Sequence, residues 1–236
     1  MGRWKKFLTS PKVTLGAFVL AVGLLLFSSI GGARAALAYY SENYVSHVQL
    51  HDIGVTLLEN GTAVSGEMLT GLLGEDKSLK PGKEYTENLC VQNSGTINEY
   101  VRVSIYKYWQ DAHGQKMTNL SPELIGLNLV NLGSDWLEDT DATTRERTVL
   151  YYSKVLAAGE TTPLFADKLT INGAVATKVK QTPGEDGSVT TVYEYDGVRF
   201  CVEAKVDAVQ EHNGEDAIKS AWGRGVSISG GSLRLE

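Results

Sequence analysis

Histidine and cysteine are scarce in this chain, four and two among 236 residues, and no acidic residue precedes Glu42. The scarcity excludes much chemistry. There is no Cys-x-x-Cys pair for structural zinc or dithiol redox work. No His-Glu-x-x-His, Gly-x-Ser-x-Gly, P-loop or Cys-His nucleophile signature occurs. The closest histidines, His47 and His51, fall in "YVSHVQLHDIGVTLL", which is rich in β-branched residues and reads as a strand. Four residues of strand span roughly 13 Å, whereas two ligands of one zinc lie about 3–4 Å apart. These two, with His113 and His212, therefore read as solvated or contact histidines. Asp135 and the run Glu138-Asp139-Thr140-Asp141 are acidic but lack the spacing of a calcium loop, and read as a solvated surface. No catalytic, cofactor or metal residue is nominated, and the chain does not read as an enzyme.

The missing early acids belong to a pattern. Arg3, Lys5, Lys6 and Lys12 precede the apolar run Val13 to Ile30, and Ala33-Arg34-Ala35 follows it. A basic segment, an apolar helix and small residues at alternate positions make a secretory signal helix over residues 1–35. Gly31 and Gly32 break that helix just ahead of the cleavage site. Cleavage there exposes Ala36; a second small-residue site, Ala36-Leu37-Ala38, would expose Tyr39. The apolar run is also about long enough to span a bilayer as an anchor, but the small-residue sites favour removal. Signal peptidase is then a partner, and the membrane is met only through the uncleaved segment.

Removing residues 1–35 leaves 17 Lys+Arg against 28 Asp+Glu, which takes the formal charge from −6 to −11. An acidic product argues against binding nucleic acid or an anionic lipid surface, where Lys and Arg must neutralise phosphates. About 200 residues suffice for one sizeable core, and no low-complexity linker divides them. Residues 36–236 are expected to form a single domain, with 224–236 an extra strand or a tail.

That domain reads as all-β. In "YVRVSIYKYW" the residues Val101, Val103, Ile105 and Trp109 share one face. "VRFCVEAKVDAV" repeats the pattern with Val198, Phe200, Val202, Ala204, Val206 and Ala208. Further strands are expected within Val45–Leu58, Tyr85–Val91, Thr148–Val155, Lys168–Ile171, Ala174–Lys180 and Val189–Tyr195. Asn60-Gly61 and Pro81-Gly82 mark turns, and Asp196-Gly197 predicts a two-residue hairpin between "TTVYEY" and "VRFCVE". Asp111–Arg147 reads as a surface loop pinned by Trp136. "NGEDAIKSAWG" predicts a short C-terminal helix capped by Asn213 and ended by Gly223. One buried face per strand points to two packed antiparallel sheets.

The two cysteines fall on the polar faces of their strands. Cys90 alternates with Asn88 and Gln92, and Cys201 with Arg199 and Glu203. Free cysteine is usually buried, so an exported protein with two outward thiols suggests a bond between them, formed across antiparallel neighbours. A bond between subunits and two independent free thiols stand as the alternatives.

Three segments carry a family resemblance. "GGARAALAYYSENY" is similar to junctions cut by the SipW-type signal peptidase. "LKPGKEYTENLCVQNSGTINEYVRVSIYKYW" and "CVEAKVDAVQEHNGEDAIKSAWG" resemble two strand-rich segments of the secreted TasA–camelysin matrix proteins of Gram-positive bacteria. Together they cover about 70 of the 236 residues. The two cysteines and the tail "GRGVSISGGSLRLE" depart from that pattern. The resemblance implies a jelly-roll-like sandwich and a structural subunit of extracellular biofilm fibres, assembled with copies of itself or with related matrix subunits. It also implies two alternatives, a camelysin-type metalloendopeptidase and a monomeric surface-binding module.

By the same resemblance, the mature N-terminal segment Tyr39 to Leu50 would be donated as a strand to the next subunit. Its Tyr39, Tyr40, Tyr44, Val45 and Val48 are apolar for a free tail. The alternative is that they form a first strand at home.

Overall fold

A computed structural model describes residues 52–74, 78–183, 189–195 and 197–236. All belong to one compact unit, His51–Glu236. The expected signal segment, its expected cleavage sites at Ala33 to Tyr39, the segment Tyr39 to Leu50 expected to be donated, and His47 and His51 lie outside the described residues.

Strands dominate, as the alternation predicts, and they form several antiparallel sheets. β1 (Val55–Glu59), β2 (Thr62–Ala63), β3 (Glu84–Asn93), β4 (Glu99–Gln110), β5 (Lys116–Met117), β6 (Ile125–Leu129), β7 (Trp136–Glu138), β8 (Arg147–Tyr152) and β9 (Ala166–Ile171) come first. β10 (Val179–Pro183), β11 (Val189–Tyr193) and β12 (Arg199–Gln210) follow, then α1 (Gly214–Trp222), β13 (Val226–Ser229) and β14 (Ser232–Leu235). One five-stranded sheet runs β2-β1-β3-β9-β6; the other runs β12-β4-β8-β7, with β5 beside the end of β4. β10–β11 and β13–β14 are separate two-stranded ribbons.

Each sheet turns one face to a shared core. Leu57, Leu89, Val91, Ile125 and Leu169 meet Val101, Val103, Ile105, Leu150 and Val202 there. Trp136 is fully buried, its indole donating to the Pro163 carbonyl at 3.0 Å and its ring edge-on to Phe165. Each large apolar side chain so buried contributes roughly 1.5–3 kcal/mol. The longest ladder pairs all twelve residues of β4 with all twelve of β12.

The opposite face of β4 is also covered. Tyr100, Val149, Tyr151 and Val209 pack against Ile218 of α1 and against Val226 and Leu233. The segment after Trp222 is thus a hairpin laid over the second sheet, not a loose tail. Gly214 opens α1 where a Cβ would stand 2.6 Å from the Tyr100 ring. Gly223 ends it at φ 70°, a left-handed conformation glycine adopts without steric cost.

Several expectations are corrected. β11 pairs with β10, and β12 pairs with β4, so Asp196-Gly197 does not close a hairpin. Residues 173–176 form a 3₁₀ turn ahead of β10 rather than strand. The expected surface loop 111–147 contains β6, paired to β9, and β7, paired to β8. Asn213 sits in the left-handed region at φ 53° and makes no side-chain cap. Among the described residues no helix is long and apolar enough to cross a membrane.

Candidate interaction groove

Both sheets end in an edge strand on the same side of the molecule. β1 is paired with β3 along its length but meets β2 only through Leu58 and Glu59. β12 is paired on one side with β4 and, among the described residues, with no strand on the other. Every second residue of such an edge points its N–H and C=O away from the sheet, available to another strand.

A groove of about 940 Å³ opens between the two edges. Val55 and Leu57 of β1 form one wall, and Phe200, Val202 and Ala204 of β12 the other. Residues 64–74 cross it as a strap, inserting Met68, Leu69 and Leu72 toward the core. The polar rim holds Tyr108, Gln110, Glu203, Glu67 and Cys201. The Tyr108 hydroxyl donates to the Glu203 carboxylate, and that bond raises the phenol above its usual range.

The strap is fastened from behind. The Leu69 N–H donates to Glu59 Oε1 at 2.6 Å. Leu69 holds φ 66°, a left-handed conformation that costs an L-residue with a bulky side chain roughly 1–2 kcal/mol. β1 reaches Glu59 and turns back through Asn60 and Gly61, at φ 51° and 83°, the paired left-handed residues of a tight hairpin turn. The Asn60 side chain accepts from the Asn88 N–H at 3.0 Å, tying that turn to β3.

Two fully buried acids flank β1. Glu87 is 0% exposed, and among the described residues neither of its oxygens has a hydrogen-bond partner. Burial raises its carboxyl from 4.5 to about 8, helped by the charge of Glu59 beside it and tempered by Asn60. The neighbouring carboxylate accepts but cannot donate, so a proton belongs between the two. Glu99, also 0% exposed, is raised by burial to about 7, a rise tempered by the Gly54 backbone. Sequence alternation alone missed both, because Glu87 sits at a bulge in β3 and Glu99 reads as a polar strand start.

The cysteines do not pair. Both are free thiols; Cys90 lies in the first sheet opposite Leu58, and Cys201 in the second opposite Tyr108. The expected antiparallel neighbour arrangement is absent, because β3 has β1 and β9 beside it while β12 has β4. Cys90 is buried rather than outward, and Cys201 lines the groove. Burial raises both thiols.

The other sequence candidates separate. His113 and His212 are exposed, the first in the turn after β4 and the second before α1. The acidic run is ion-paired rather than merely solvated. Arg224 meets Asp141 at 2.8 Å and the buried Asp139 at 3.5 Å, and Lys154 meets Asp135 at 2.7 Å. Among the described residues no three His, Cys, Asp or Glu side chains gather as a metal site.

No family model, curated protein or solved structure matches the chain.

Proposed function

We propose that the chain is a secreted structural subunit that polymerises head to tail into extracellular fibres. Its two core-sharing sheets make a jelly-roll-like sandwich, and each subunit receives the N-terminal strand of the next. The signal helix holds residues 39–50 at the membrane until cleavage at Ala36 or Tyr39, which keeps assembly outside the cell.

The observation that carries this reading is the groove between β1 and β12. It offers apolar walls for alternate side chains, and β12 offers an edge to pair with. A strand laid there gains main-chain hydrogen bonds and buries its apolar face, the two components of strand addition. Tyr39, Tyr40, Tyr44, Val45 and Val48 supply such a face. A contact of this kind does not close on itself, so it yields filaments and not dimers.

Deleting residues 36–50 from the processed chain tests the proposal. The expected product is a folded monomer that forms no filaments by electron microscopy and binds a peptide of residues 39–50. Filaments that persist after the deletion, or a fold lost beyond rescue by the peptide, would overturn it.

A further inference from the structure

We infer that Glu59 and Glu87 form a proton-operated latch on the strap over the β1–β12 groove, so that loss of the shared proton frees the strap beyond Val64, residues 65–74, and opens the groove to a strand from a second copy of the chain. The clause about the incoming strand rests on the proposed function; the latch itself does not.

The geometry supplies three parts. Glu59 holds the middle of the strap through the Leu69 N–H at 2.6 Å, at the residue whose backbone is strained to φ 66°, while the strap's start is pinned separately by the Val64 N–H donating to the Leu57 carbonyl at 2.9 Å. Glu87 is fully buried beside Glu59, and among the described residues neither of its oxygens has a hydrogen-bond partner at normal geometry. The strap residues Val64, Gly66 and Glu67 border the groove on one side and the depression containing Glu59 on the other.

With Glu87 neutral, its O–H donates to Glu59, which stays a carboxylate and grips the Leu69 N–H. When that proton leaves to solvent, two carboxylates face each other in a poorly solvated site. The like-charge repulsion is relieved by Glu59 swinging out, which releases the strap and lets Leu69 leave its strained conformation. The charged groups described on the elements around Glu87 are mostly acidic or paired elsewhere. Glu67 on the strap and Glu203 on β12 are acidic, as is Asp167 on β9, which accepts from Asn128. Lys168 of β9 is taken by Glu84, and Lys83 lies over the Tyr85 ring. Among the described residues, Glu59 is the neighbour whose charge raises Glu87. The transition falls near the value of about 8 to which burial lifts Glu87.

Cys201, on the rim of the groove that the strap crosses, provides the readout. The full chain and Glu87→Gln are alkylated with iodoacetamide over a pH series, and the Cys201 peptide is followed by mass spectrometry. The ratio of the two rates cancels the thiolate fraction. The amide introduced by Glu87→Gln still donates to Glu59 but cannot ionise. The ratio of wild type to variant is therefore expected near one at about pH 6 and about tenfold higher at about pH 9.

Glu59→Gln, which removes the repulsion from the other side, should flatten the same profile if Glu87→Gln fails to fold. A ratio that stays flat overturns the latch. A rise that added calcium abolishes in wild type also overturns it, in favour of a cation held by the two carboxylates. Binding of the residue 39–50 peptide is measured in parallel. Tighter binding at high pH in wild type alone completes the inference. A stepped alkylation profile with indifferent peptide binding keeps the latch and removes the donated strand.

Discussion

The guanidinium of Arg102 lies 4.9 Å above the centre of the Trp222 ring while its Nη2 donates to Asp207 at 2.7 Å. One side chain of β4 thereby joins β12 to the end of α1. Trp222 also meets Tyr151 edge-on at 5.5 Å. Replacing Trp222 with Ala removes both ring contacts and should cost about 3 kcal/mol or more of unfolding free energy. Arg102→Lys keeps the ion pair but loses the planar stack, and should cost about 1 kcal/mol. Urea unfolding of the two variants should rank them in that order; equal losses would show that the ring is incidental.

Gly214 gives a prediction of opposite sign to helix propensity. Alanine favours helix over glycine by about 1 kcal/mol, yet a Cβ here would stand 2.6 Å from the Tyr100 ring and 2.9 Å from Ile228. Tyr100 is buried in the outer cluster, so its ring cannot relieve the clash by moving into water, whereas the half-buried Ile228 can shift its terminal methyl. Gly214→Ala should therefore lower stability by about 1–3 kcal/mol. A thermal midpoint at or above that of wild type would contradict the packing argument.

The alternation of "YVRVSIYKYW" and "VRFCVEAKVDAV" made β4 and β12 legible, because one inward face per strand leaves a period of two. Their partnership was not legible. Asp196-Gly197 has the chemistry of a hairpin turn, but turn chemistry acts over a few residues, and β12 is satisfied by twelve pairs with β4 instead. β6 was hidden because "IGLNL" is short and contains glycine and asparagine, so only its pairing to β9 makes it a strand. The groove escaped for the same reason. Its walls are ordinary apolar strand faces, and edges exist only once strand order is known. Glu87 read as one more polar residue of β3; its place beside Glu59 exists only once β1 is paired to β3.

Stability should fall as pH rises from mildly acidic to alkaline. Glu99 has an ordinary value of 4.5 and a folded value of about 7. The folded state therefore binds the proton more tightly than the unfolded chain across that window. The resulting stabilisation is complete below the unfolded value and is lost as pH climbs through the folded one. Glu87 extends the same slope to about 8. At about 1.4 kcal/mol per unit, the two acids together should lower stability by several kcal/mol between about pH 5 and about pH 9. Glu99→Gln should remove the part of the slope that ends near 7 and leave the upper part, measured as urea midpoints across the series. A wild-type profile that rises with pH over this range would refute the assignment.

The two thiols should differ in reactivity without any reduction step. Cys201 is half-buried on the wall of the groove, whereas Cys90 is 8% exposed, opposite Leu58. Alkylation requires both access and the thiolate, and burial raises each thiol above its ordinary range. Both should therefore react slowly near neutral pH, with access deciding the order. Native protein should lose Cys201 to iodoacetamide first, while Cys90 reacts only after denaturant opens the first sheet. Peptide mapping without reductant should then find both labelled and no cross-linked pair. A single peptide joining Cys90 to Cys201 would show that the strands approach in solution, contrary to their places in separate sheets. A dimer-sized band that reductant removes would place the bond between subunits, and Cys201 would be the thiol that carries it.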